Sequence, residues 1–221
     1  MSEASPVAAN AKIAILISGT GSNMQAFIDA CGRGELAAQI AVVISNNPDA
    51  VGLQRANDAG IATARVNHRD YDSRESFDQA LVNTLNEYDV DLVILAGFMR
   101  ILTPVFIHAF YGKLLNIHPS LLPKYPGLHT HQRALDAGDN EAGVTVHFVI
   151  PELDAGPAVL QARVAINIDD TAASLAARVI VEEHKIYPLA AQWFLAGRLK
   201  LTANGASLDG KILPESGQKY G

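Results

Sequence analysis

Apolar residues fall along the chain in short β-branched or leucine-rich runs, separated by stretches with helical spacing, the pattern of alternating strands and helices. The first run, residues 12–17, ends in Ser18-Gly19-Thr20-Gly21-Ser22-Asn23, and residues 24–31 then carry apolar positions at Met24, Phe27 and Ile28. This reads as a strand, a tight turn and a helix. Residues 40–45 and 61–66 repeat the strand signal around a helix-compatible stretch at 50–59, with Gly60 as its stop. A longer helix is predicted after Ser73, because Phe77, Leu81, Leu85 and Tyr88 recur on one face. The run at 92–96 is apolar at every position, as a strand covered on both faces must be, and is predicted to be central.

Further on, Lys113-Leu114-Leu115 leads into Asn116-Ile117-His118-Pro119-Ser120-Leu121-Leu122-Pro123, so Asn116 and His118 stand where a buried strand runs out. Pro119 disfavours helical geometry at His118 and keeps it on extended backbone. Residues 143–149 alternate and 158–166 form another apolar run, joined by a Pro- and Gly-containing turn at Glu152, which predicts an antiparallel addition. Residues 172–196 have continuous helical character with Pro188 as a kink or boundary, and the tail after Leu199 is turn-rich with weak periodicity. The expected fold is α/β: a single-domain, doubly wound, mostly parallel sheet with an antiparallel C-terminal addition. Residues 12–221 are expected to form that domain. Residues 1–11 are expected to be a flexible extension without assigned function.

Composition narrows the function. At 221 residues and 49% hydrophobic content the chain suits one large core. A net charge of -6 argues against a phosphate-backbone footprint, so no nucleic-acid partner is expected. Cys31 is the only cysteine, and the opening Met1-Ser2-Glu3-Ala4-Ser5-Pro6 lacks the basic start and apolar core of a secretory signal, which makes the cytoplasm the expected location. Every apolar run is strand-sized, well short of the roughly 20 residues of a membrane helix, and no membrane partner is expected.

Two segments carry candidate chemistry. The glycine turn at 19–23 opens a helix whose free N–H groups and dipole suit an anion. Met24 stands where the dinucleotide fingerprint needs its third glycine, and the Lys-Ser/Thr pair of a P-loop is absent. A single-phosphate cradle is therefore expected, with a plain tight turn as the alternative. Asn116, His118 and Asp154 together suit acyl transfer, the amide and a charged imidazole stabilising an oxyanion while the carboxylate orients the ring and maintains its charge. No G-x-S-x-G elbow precedes them, so direct attack by a substrate amine fits better than a covalent intermediate. His118, His129, His131 and His147 offer a metal alternative without a recognised ligand motif, and none is expected. Taken singly, Asn116, His118 and Asp154 also fit ordinary turn hydrogen bonding.

The motifs at 18–23, 95–100 (Leu-Ala-Gly-Phe-Met-Arg), 116–123 and 152–154 together resemble the phosphoribosylglycinamide formyltransferase family, over residues 12 to about 213. The resemblance implies the formyltransferase fold, a 10-formyltetrahydrofolate cosubstrate, a glycinamide ribonucleotide acceptor and a role in purine biosynthesis. It implies that Gly21, Ser22 and Asn23 hold the acceptor phosphate and that Glu183, assisted by Glu182, positions the acceptor. Arg74, Met99, Arg100, Ile101 and Leu102, with Asn116, Ile150, Pro151, Glu152, Leu153 and Asp154, are expected to line the folate pocket. Leu122-Pro123 is a candidate cis peptide, and residues 124–131 a candidate lid or an ordinary connection. The expected state is monomer or homodimer. The enzymatic alternatives are a formyltetrahydrofolate hydrolase, which keeps the same three groups, and a methionyl-tRNA formyltransferase, disfavoured by the acidic single domain. A non-catalytic folate or phosphate-ligand binder is the alternative outside catalysis.

Overall fold

The computed structural model of the protein describes residues 11–221, so the expected extension lies, Ala11 apart, outside the described residues. Five strands form the parallel part of the main sheet: β1 (Lys12–Ile17), β2 (Gln39–Ser45), β3 (Thr63–Arg65), β4 (Leu92–Leu95) and β5 (Leu114–His118). Helices α1 (Ser22–Gly32), α2 (Val51–Asp58), α3 (Arg74–Asn86) and α4 (Pro104–Ala109) connect them. The alternation of each strand divides its side chains between two cores. Ile13, Ile15 and Ile17 of β1, with Leu92 and Ile94 of β4, share a cluster with Met24 and Phe27 of α1. Ala14 and Leu16, with Val93 and Leu95, face Phe77, Leu81 and Leu85 of α3 and Phe106 of α4. Burial on both faces explains the unbroken apolar runs of these strands.

The strands lie in the order β3-β2-β1-β4-β5, so the chain reverses its direction of build between β1 and β4. A parallel α/β sheet opens a crevice at such a switch point, beyond the carboxyl ends of its strands. After α5 (Thr130–Asp136), β6 (Glu141–Phe148) pairs antiparallel to β5 and β7 (Ala158–Ala165) antiparallel to β6, the predicted addition. Helix α6 (Ala172–Leu195) opens with a Thr171/Ser174 capping box and runs on through Pro188, so the proline is not a boundary. Burial of Val179, Ile186, Tyr187, Ala190 and Ala191 on the same helix offsets the hydrogen bond that Pro188 cannot donate.

The tail departs from the sequence expectation. Strands β8 (Leu199–Thr202), β9 (Gly205–Leu208) and β10 (Lys211–Ile212) form a separate antiparallel sheet, and β11 (Gln218–Lys219) joins the main sheet parallel to β7. Each has two to four residues, too short for periodicity to register, although Asn204, in the two-residue turn between β8 and β9, is followed by Gly205, a common hairpin signal. Helix α4 went unread for the same reason. Among the described residues no helix is long and apolar enough to cross a membrane.

Candidate active site

A cavity of about 620 Å³ opens beyond the carboxyl ends of β4 and β5. Its walls are residues 97–102 after β4, the end of β5, residues 127–132 and residues 149–154 after β6. Met99, Ile101, Leu128 and Leu153 line it and are each more than half exposed. Large apolar side chains left open together around a concave site mark a place for a flat apolar ligand.

Asn116, His118 and Asp154 converge at the inner end of the cavity. Strand β5 carries the first two on one face, and the turn after β6 supplies Asp154 with a left-handed backbone at φ 52°. His118 is 6% exposed. Its Nε2 lies 2.9 Å from the carbonyl oxygen of Tyr125 and its Nδ1 3.5 Å from Asp154 Oδ2. Both neighbours are acceptors, so Nε2 donates to the Tyr125 carbonyl while the Asp154 carboxylate stands against Nδ1. Asp154 Oδ2 also accepts from the Gly127 N–H at 2.8 Å, and Asn116 Nδ2 lies 3.1 Å from His147 Nε2. The 124–129 segment is thus bonded to two of the three groups through its backbone, and is tied back by Tyr125 Oη donating to Asp139 and by Arg133 donating to the Pro126 carbonyl. The Leu122-Pro123 peptide bond is cis.

The glycine turn lies on the other side of the switch point, at the end of β1. Gly21 precedes α1 in the left-handed region, at φ 73°, and no side chain caps the first turn. A Cβ at Gly21 would meet the Met24 side chain at 3.0 Å and the Gly52 backbone at 3.1 Å, so only glycine fits. Asn23 and Glu183 are both nearly buried, and Asn23 Nδ2 donates to Glu183 Oε2 at 2.6 Å. Burial away from water pushes the Glu183 carboxyl up, opposed in part by that hydrogen bond. Asn23 Oδ1 is buried without a partner, which suits a ligand donor arriving here. Ser18 joins the two halves: its Oγ accepts from the Met99 N–H at 2.7 Å and donates to Asn46 Oδ1 at 2.5 Å.

Residues 99–102 and 150–154 line the cavity as expected, with Asn116 and His118. Arg74 does not: it stands behind the wall and donates to the Ile101 carbonyl, while Asp78, one helical turn on, accepts from the Thr103 N–H. Glu182 does not join Glu183 at Asn23. It pairs with Lys185 Nζ at 2.7 Å, since adjacent helix positions point about 100° apart. Cys31 lies outside the cavity, and burial pushes its thiol up. His129, His131 and His147 all line the cavity, His147 beside Asn116. Sequence reasoning missed Ser18, Gly52, Asp78 and the positioning contacts of His147. Gly52 had a readable signal, as a glycine inside a predicted helix implies a close approach.

An apolar cavity lined by an amide, an imidazole and a carboxylate, at the switch point of a parallel sheet, fits a group-transfer enzyme. The formyl transferase family matches residues 11–191. The phosphoribosylglycinamide formyltransferase of Escherichia coli is 53% identical over 205 residues, 93% of this chain and 97% of its own. That of Haemophilus influenzae is 53% identical over 206 residues, again 93% and 97%. The solved structure of the Coxiella burnetii phosphoribosylglycinamide formyltransferase, in complex with CHES, superposes with a TM-score of 0.92 at 49% identity, covering 96% of this chain and 100% of that one. The chain belongs to the formyl transferase family. Within it, its activity is that of the phosphoribosylglycinamide formyltransferases, one-carbon group transferases.

Proposed function

We propose that residues 12–221 act as one formyltransferase domain that moves the formyl group of 10-formyltetrahydrofolate to the amine of 5-phosphoribosylglycinamide, in the cytoplasm, as a monomer or homodimer. The observation that supports this reading is the convergence of Asn116, His118 and Asp154 in a cavity suited to a flat ring, in a sheet whose first strand leads into an uncapped helix N-terminus suited to one phosphate. The pterin would lie against residues 99–102 and 150–154, with Arg74 bracing that wall from behind. Gly21, Ser22 and Asn23 would hold the phosphate, and Glu183 would accept from the acceptor's polar groups.

In this mechanism the acceptor amine attacks the formyl carbon, and the carbonyl oxygen gains negative charge. Asn116 Nδ2 and His118 Nε2 donate to it, His118 exchanging its Tyr125 carbonyl partner for the substrate oxygen. Asp154 orients the imidazole through Nδ1. The attacking nitrogen loses a proton, relayed by water to the departing folate nitrogen, and collapse of the tetrahedral species leaves the formylated amine. Holding both reactants at one switch point supplies the effective concentration that a direct transfer needs.

Loss of formyl-folate, followed with and without glycinamide ribonucleotide, tests the reading. Loss that depends on the acceptor is expected. Acceptor-independent loss would establish the hydrolase instead, and no loss would establish a binder. His118→Ala and Asp154→Ala should each lower turnover about a hundredfold or more while changing acceptor binding far less.

A further inference from the structure

One imidazole beside the proposed site takes no part in that chemistry. His147 is 2% exposed and stands in register with Asn116 across the antiparallel β5–β6 pair. Its Nδ1 lies 2.8 Å from the Phe148 carbonyl oxygen. A carbonyl only accepts, so Nδ1 carries the proton, and a neutral ring then presents a lone pair at Nε2. That lone pair faces Asn116 Nδ2 at 3.1 Å, whereas Asp154 Oδ1, at 3.9 Å, lies beyond hydrogen-bond reach. Burial disfavours a second proton on the ring, against the opposing pull of Asp154 and the Phe148 carbonyl. The Phe148 carbonyl is held in turn by the absence of a side chain at Gly156, where a Cβ would stand 1.8 Å from that oxygen.

We infer that His147 is a positioning residue whose Nε2 lone pair selects the rotamer of the Asn116 amide, anchoring one N–H of its NH2 group and leaving the other for the reacting carbonyl oxygen. The flipped amide sets Oδ1 against the lone pair, two acceptors with no proton between them, and is excluded. Asn and His in register across two strands therefore form one unit, in which the buried ring acts on the reaction only through the amide. This rests on the proposed role of Asn116.

The test is a double-mutant cycle in steady-state formyl transfer, with folding checked by thermal unfolding. His147→Phe, which fills the space without an acceptor, should lower kcat by about thirtyfold and change either substrate's KM by less than about threefold. In an Asn116→Ala background the same substitution should lower kcat by less than about threefold, because the group it orients is gone. His147→Gln, whose Oε1 can reach the Nε2 position, should retain more turnover than the shorter His147→Asn, and this pair decides the matter if His147→Phe does not fold. An equal loss from His147→Phe in both backgrounds, or Gln and Asn variants of equal turnover, would overturn the inference and leave the proposed function standing. An Asn116→Ala enzyme with full turnover would defeat the proposed function itself, and the inference with it.

Discussion

Gly156→Ala tests how tightly the site depends on backbone packing. The added Cβ falls 1.8 Å from the Phe148 carbonyl oxygen and 2.9 Å from its carbon. A carbon and a carbonyl oxygen without a bond between them approach no closer than about 3.3 Å, so the two segments must part by about 1.5 Å. Neither partner is a flexible side-chain end: both are backbone, and the Phe148 N–H also donates to the Pro157 carbonyl across the same junction. The separation removes the bond between Phe148 oxygen and His147 Nδ1 and leaves a buried donor unpaired, at about 1–3 kcal/mol, besides overpacking of similar size. Alanine's smaller unfolded-state entropy returns only about 0.4–1 kcal/mol. A net destabilisation of about 2–4 kcal/mol should lower the melting temperature by roughly 4–16 °C, and turnover should fall about tenfold or more as His147 and Asn116 shift. Thermal unfolding by circular dichroism and steady-state formyl transfer measure the two effects. Gly32→Ala is the control, since a Cβ there meets nothing within 4 Å, and it should be neutral or mildly stabilising. A Gly156→Ala enzyme with parental melting temperature and turnover would show that the junction relaxes freely, and would refute the reasoning.

Glu183→Gln should trade function for stability. Its folded carboxyl is raised above the ordinary 4.5 by burial, so the fold holds that proton more tightly than the unfolded chain, and stability drops as pH rises through the window above 4.5. The neutral glutamine keeps the acceptor for Asn23, so the variant should melt higher than the parent at neutral pH, with the gap closing below that window, while acceptor KM rises. A gap independent of pH would count against this account. Tyr187→Phe removes a buried hydroxyl that bonds the Leu95 and Leu115 carbonyls at 3.1 and 2.8 Å, and should cost about 1–2 kcal/mol in denaturant unfolding without altering either KM. Arg74→Met frees the Ile101 carbonyl at an exposed position and should raise donor KM about three- to tenfold at unchanged kcat, a result that unchanged donor KM would contradict.

The parallel half of the fold was legible because its strands are buried on both faces, and Ile13 to Ile17 or Leu92 to Leu95 admit no other reading. Short elements were not, since α4, β10 and β11 each span fewer than two periods of their repeat. Within the site, the residues that line the cavity sit in contiguous motifs at strand ends, where local sequence and position coincide. Residues that hold them in place do not. His147 reads as an alternating strand position, and only the β5–β6 register sets it against Asn116. Ser18 reads as part of a glycine turn, and its bond to the Met99 N–H spans 81 positions. Arg74 bonds the Ile101 carbonyl without lining the cavity, and which side of that wall it takes depends on how α3 packs, which no local pattern records.

The antiparallel pairing of β5 with β6 has a consequence for folding. Side chains of a strand alternate between faces, so sliding β6 by one residue along β5 would turn His147 away from Asn116 and carry Asp154 off His118. Such a slipped sheet keeps nearly all its backbone hydrogen bonds, and circular dichroism would hardly distinguish it. Formyl transfer would. Recovered activity in a refolding experiment is therefore a report on strand register, and it should return no earlier than the last pairing of this edge locks, however early the parallel core has condensed.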